Sequence, residues 1–99
     1  MNDVDDGRKD DTGKLRWSLL PLGALEETVR VLTKGAEHYA PWGWESVPQA
    51  RDRYTDALLR HVVAWRNGQR NDPQWGLHHL AHATCDILFL LSLDLRGEL

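Results

Sequence analysis

The sequence predicts an all-α protein, a small helical bundle of three to four helices. Two observations carry that expectation: apolar residues recur at helical spacing in three separate stretches joined by short connections, and nowhere do apolar and polar residues alternate with the period of a strand. No internal repeat or low-complexity tract argues for another architecture.

The first thirteen residues, Met1 to Gly13, hold five aspartates and two glycines and offer almost nothing to bury. Ordering them would cost entropy with no apolar gain, so they are expected to form a mobile acidic arm. The next segment, Lys14-Leu15-Arg16-Trp17-Ser18-Leu19-Leu20, alternates apolar and basic residues before Pro21, which suits a helix start; this segment is expected to dock onto the core.

From Leu22 to about His38 the apolar residues Leu25, Val29, Leu32 and Ala36 share one face, giving a first amphipathic helix that ends before Pro41 and Gly43. Tyr39 to Pro48 then reads as an ordered loop anchored by Trp42 and Trp44. The second helix runs from near Pro48 to Asn67, with Tyr54, Ala57, Leu58, His61, Val62 and Trp65 on one face. Gly68 and Asn71-Asp72-Pro73 break it. The third starts around Asp72 or Pro73, continues toward Leu95, and is apolar nearly all round in its second half, as a central buried helix would be.

A chain of 99 residues, 41% hydrophobic and 27% charged, fits one domain, assigned to residues 14–99. A core this small buries only about 60% of the unfolded surface, so a homo-oligomer, a dimer or larger, is expected. The net charge of -3, with basic residues scattered among acidic ones, excludes a duplex nucleic acid partner. Cys85 is the single cysteine and falls in an apolar helical pattern, which excludes a disulfide framework and points to a cytoplasmic setting. No apolar run approaches the ~20 residues a membrane helix requires.

On the third helix His79, His82 and Asp86 lie within about 60° of one another around the axis. Ligands one turn apart on a helix are how bundle proteins build metal sites, because the helix fixes their separations. The competing reading makes these histidines satisfied buried side chains and pairs Asp86 with an arginine. His61 lies on the apolar stripe of the second helix, so its ring must meet something polar inside. On the first helix Glu26 and Glu37 share a face but lie about 16 Å apart, too far for one centre. Glu26 is the candidate; Glu37 is expected to pair with Lys34 or solvent, and Glu26 has its own surface alternative in Arg30. Lys14, Arg16, Arg53, Arg60 and Arg66 are candidates to hold phosphate oxygens. Trp42, Trp44 and Trp75 are candidates to stack on a base, although tryptophans in small domains more often anchor core or loops.

Read together, Thr12-Gly13-Lys14-Leu15-Arg16, Leu19-Leu20-Pro21, Ala24-Leu25-Glu26-Glu27, Val31 to Tyr39, Leu58-Leu59-Arg60-His61 and His79-Leu80-Ala81-His82-Ala83 resemble the phage dATP/dGTP diphosphohydrolase amino-terminal domain family. The likeness runs from about Asp11 to Leu91. It implies a fold and activity similar to the all-α pyrophosphohydrolases of the MazG type, which cleave a deoxynucleoside triphosphate to monophosphate and pyrophosphate with magnesium or manganese. For a phage-encoded enzyme the compartment would be the host cytoplasm. In the MazG type the ligands are mainly glutamates and aspartates, whereas histidines occupy much of the corresponding third-helix face here; imidazole ligands move the expectation toward manganese. An HD-domain triphosphohydrolase would need a His-Asp dipeptide, which the chain lacks.

The resulting expectation is a metal-dependent hydrolase of purine deoxynucleoside triphosphates. His61, His79, His82, Asp86 and Glu26 would hold Mn2+ or Mg2+, with Glu26 and the three histidines catalytic, and Lys14, Arg16, Trp44 and Arg60 would bind substrate. The alternative is a non-catalytic nucleotide-binding or scaffold protein in which the same histidines hold a structural metal or none.

Overall fold

The computed structural model describes residues 9–99, so most of the expected acidic arm lies outside the described residues. Three helices are present: α1 (Leu22–Gly35), α2 (Ala50–Arg66) and α3 (His79–Leu95), with 3-10 turns at Trp17–Leu19 and Gly43–Ser46. Among the described residues there is no strand; the one extended pairing is an isolated bridge between Asn71 and His78. No helix among them is long and apolar enough to cross a membrane.

Helix α3 is central, as its apolar second half predicts: it packs against α1 and α2, which do not touch each other. The α1 contact is made by Thr28 and Val31, which face Ala81 and Cys85. The Cys85 thiol donates to the Thr28 carbonyl at 3.5 Å, and burial pushes it up to about 12, so this thiol is inert. Helix α2 runs antiparallel to α3: His61 near its end meets His79 and His82 at the start of α3, while Tyr54 near its start meets Phe89.

The Gly43–Ser46 turn is pinned to α3 by Trp44. That ring stacks on Phe89 at 5.0 Å, Arg96 lies over it at 5.2 Å, and the Tyr54 hydroxyl donates to the Trp44 carbonyl at 3.0 Å. Left-handed backbone at Trp42 (φ 64°) and Gln49 (φ 56°) makes the sharp bends on either side of this turn.

The structure corrects four expectations. Helix α1 stops at Gly35, three residues short of His38, because the amides of Glu37, His38 and Tyr39 turn back onto the Lys34 and Gly35 carbonyls. Helix α3 begins at His79 and not at Asp72: Asp72-Pro73 looks like an N-cap followed by its proline, but Gly76 at φ 72° breaks the turn and leaves a side-chain-bridged loop. The segment from Lys14 to Leu20 does not dock on the core; every residue in it is exposed and its 3-10 turn touches no other element. Finally, the apolar stripe of α1 is not its packed face. Leu22, Leu25, Val29 and Leu32 remain 36–68% exposed while Thr28 and Val31 do the packing. The chain is correspondingly open, with a radius of gyration of 18.1 Å against about 13 Å for a compact domain of this length.

Candidate active site

The loop between α2 and α3 is built on one carboxylate. Asp72 accepts the amides of Gln74 (2.9 Å) and Trp75 (2.7 Å) on Oδ2 and that of Leu77 (3.0 Å) on Oδ1, while its own amide donates to the Leu77 carbonyl. Asp72 Oδ1 also faces His82 Nε2 at 2.8 Å. Burial pushes the carboxyl up, but the Trp75 amide, the His82 ring and the Leu77 amide outweigh it and hold Asp72 below its ordinary value.

Three imidazoles meet beside this loop. His61 Nδ1 lies 2.8 Å from His79 Nδ1, His79 Nε2 lies 2.7 Å from Gln69 Oε1, and the His61 ring stacks on His82 at 4.5 Å with 6° between planes. Their hydrogen bonds assign the tautomers of the neutral rings. Because Asp72 and Gln69 Oε1 can only accept, His82 and His79 each carry their proton on Nε2. His79 Nδ1 is then an acceptor, and His61 donates to it from Nδ1. Two lone pairs are left over, His82 Nδ1 and His61 Nε2, with no protein partner among the described residues. Burial, followed by the neighbouring His82 and His79 rings, pushes His61 down to about 4, so it is neutral at physiological pH.

Trp75 closes one side of the cluster. It approaches His82 at 5.6 Å and stacks on His38 at 5.2 Å, and its ring tip lies beside Gly35, so the carboxy-terminal end of α1 borders the histidines.

The sequence-predicted residues divide. His61, His79 and His82 come together. Asp86 sits on α3 one turn beyond His82, 8% exposed, with Oδ2 buried and unpartnered. Burial raises its carboxyl to about 7 although the Arg60 charge opposes that. Glu26 does not join: it is exposed on α1 and lies 3.5 Å from Arg30. Glu37 pairs with Lys34 at 2.9 Å, which lowers its carboxyl. Arg60 is exposed on α2, Trp44 is held by Phe89 and Arg96, and Lys14 and Arg16 are exposed ahead of α1.

The five expected ligands therefore do not assemble into one centre. Among the described residues no group of three or more His, Cys, Asp or Glu side chains is arranged to hold a metal ion. The hydrogen bonding gives the reason, since both nitrogens of His79 are engaged and only one remains free on each of His61 and His82. What the arrangement offers instead is an imidazole oriented by a carboxylate, with a second neutral imidazole stacked beside it.

Sequence reasoning missed Asp72 and Gln69. The signal for Asp72 was present as Asp-Pro-x-x-Gly, which is equally a turn signature, but nothing in the sequence tied it to His82. Gln69 carries no local signal. Two open surface grooves, one along α2 at Leu59, Arg60 and Val63 and one between α2 and α3 at Thr55, Ile87 and Leu91, include no histidine.

A 36% identical relative over 87 residues is a Salmonella phage PMBT28 protein named dATP/dGTP diphosphohydrolase; the match covers 88% of this chain but 29% of that protein. The chain thus spans about a third of the length of the curated relative it matches. No solved structure gives a significant match. The family model described as dATP/dGTP diphosphohydrolase, N-terminal, matches residues 4–99, and the chain belongs to that family.

Proposed function

We infer that this domain hydrolyses the α–β phosphoanhydride of dATP and dGTP, releasing the monophosphate and pyrophosphate. The observation that carries this reading is the Asp72–His82 pair, which leaves a basic nitrogen on a fixed ring beside a second free imidazole acceptor. Family membership and the name of the phage relative support the substrate class.

His82 Nδ1 accepts a proton from water as the water oxygen bonds to the α-phosphorus. The bond from the α-phosphorus to the bridging oxygen breaks, and the electron pair leaves with pyrophosphate. Asp72 holds the Nε2–H tautomer and stabilises the imidazolium that forms, and His61 Nε2 accepts the water's second hydrogen to orient it. Cationic side chains, with Lys14, Arg16 and Arg60 as the candidates, offset charge on the polyphosphate. The expected Mn2+ or Mg2+ requirement stays with the assay, because the protomer does not gather a ligand set for it.

Hydrolysis in 18O-labelled water tests this reading. Label in the monophosphate places the attack at the α-phosphorus as proposed; label in pyrophosphate would overturn that assignment. Parallel reactions with manganese, magnesium and a chelator read the metal requirement. The match covers 29% of the named phage protein, which leaves room for the alternative of a non-catalytic nucleotide-binding or scaffold role. Saturable dATP binding without turnover would support it.

A further inference from the structure

The geometry points to a twofold homodimer in which α1 packs antiparallel on α1 of a second copy and the Lys14–Leu20 arm of each protomer reaches the histidine cluster of the other. The first observation is the stripe of Leu22, Leu25, Val29 and Leu32, the apolar face of the most amphipathic helix, which nothing in the protomer covers. The second is the arm itself. Leu15 (79% exposed), Trp17 (74%) and Leu19 (68%) project from a segment that contacts no helix. Single exposed apolar side chains are ordinary, but an uncovered apolar stripe together with an apolar lead-in segment marks an interaction surface.

A second copy of this chain fits both features. The stripe lies along one face of α1 with Val29 close to its middle. A twofold axis crossing there sets Leu25 against the partner's Leu32, and Leu22 against the partner's Gly35 and Ala36, so the pattern is self-complementary as an isologous interface requires. Counted over two copies, stripe and arm expose apolar surface on the order of 1,500 Å2, the size of a standard stable interface.

The same geometry decides where the arm goes. The histidine cluster borders the Gly35 end of α1, through Trp75. The arm leaves from the Leu22 end, about 20 Å away along a 14-residue helix. Arg16 and Lys14 thus start from the wrong end of α1 to serve their own protomer's histidines. Antiparallel pairing reverses this, because it lays the Leu22 end of one α1 beside the Gly35 end of the other. The arm then delivers Lys14 and Arg16 to the partner's cluster and Trp17 to its open rim. That part of the inference rests on the proposed phosphate-binding role of the two cations; the dimer itself does not.

The test uses the full chain and needs no turnover. Light scattering behind size exclusion should give twice the mass of the 11.4 kDa chain at micromolar concentration, and Leu25→Asp with Val29→Asp should return it to one chain. Val29→Cys, at the axis, should oxidise to a covalent dimer, while Leu22→Cys should not. For the arm, tagged Arg16→Cys is mixed with untagged His38→Cys and treated with a short bismaleimide. A tagged–untagged adduct at several times the level given by two Arg16→Cys chains supports delivery in trans. A monomeric wild type, or a dimer indifferent to Leu25→Asp and Val29→Asp, overturns the interface. A dimer giving no mixed adduct overturns the arm exchange and leaves the hydrolase reading to its own isotope test.

Discussion

Where α2 passes into α3, nearly every polar group has a partner: Asp72 gathers three amides and an imidazole, and Gln69, His79 and His61 form a chain of hydrogen bonds. Along the outer face of α1 and the arm before it, the reverse holds, and large apolar side chains stay partly to largely exposed. The first region is finished within one chain. The second leaves apolar side chains exposed, and on the proposed dimer it is the face that a second copy covers. Buried polar networks are costly unless satisfied, so the α2–α3 loop must form as one unit, whereas an apolar stripe can wait for association.

The largest expected effect strikes the finished region. Asp72→Ala removes four hydrogen bonds at once and strands the amides of Gln74, Trp75 and Leu77; urea denaturation should show a loss on the order of 3 kcal/mol or no cooperative transition. Asp72→Asn keeps one acceptor oxygen, enough for the Gln74 and Trp75 amides, and turns an NH2 donor toward the Leu77 amide and His82; it should fold with a smaller loss than Asp72→Ala, which separates loop formation from orientation of His82.

Substitutions on α1 come next. On a surface that stayed wet, Val29→Asp would change stability by within about 0.5 kcal/mol. The incomplete-face account expects a loss of roughly 2 kcal/mol or more at micromolar concentration, shrinking on dilution as the wild type itself dissociates. A dilution-independent transition would break the contrast.

Asp86 sharpens it from within the α2–α3 interface, as the one buried side-chain atom among the described residues left without a partner. Its folded value of about 7 lies above the unfolded 3.8, so ionising it costs stability as pH rises through that window. Asp86→Asn should therefore stabilise by on the order of 1 kcal/mol at pH 8 and by nothing below pH 4, read from thermal melts. Destabilisation at pH 8 would mean that the orphaned oxygen holds a ligand.

The smallest effect is in the acid limb. His61 is held at about 4 against an unfolded 6.5, so the unfolded chain takes up a proton first as pH falls. The stability it contributes is full above pH 6.5 and is lost between there and 4. His61→Gln should flatten that part of the stability curve; an unchanged slope would place the titration elsewhere.

The two regions also differ in how legible they were. Helical periodicity gave three helices and made α3 central, and helix spacing put His79 and His82 on one face. His61 was grouped with them from its place on the apolar stripe of α2, where its ring had to meet something polar, but as a shared metal ligand and not as a ring hydrogen-bonded to His79. Asp72 and Gln69 were invisible as site residues because their role arises from a loop closing across a chain reversal, which no spacing rule encodes. The α1 stripe was read correctly as apolar, and nothing in the sequence told that it faces away from α3. Amphipathicity tells which face avoids water and never which molecule covers it. Glu26 was misjudged in its placement for the same reason, since its helix turns that side to solvent and Arg30.

The most direct test compares purified wild type with His82→Ala, after circular dichroism shows both folded, by separating the products of dATP and dGTP by ion-exchange chromatography with manganese, magnesium or a chelator. The account predicts monophosphate with stoichiometric pyrophosphate from the wild type and a loss on the order of 10²–10⁴-fold in His82→Ala. Full turnover by folded His82→Ala, or no product from the wild type with any ion, would contradict it.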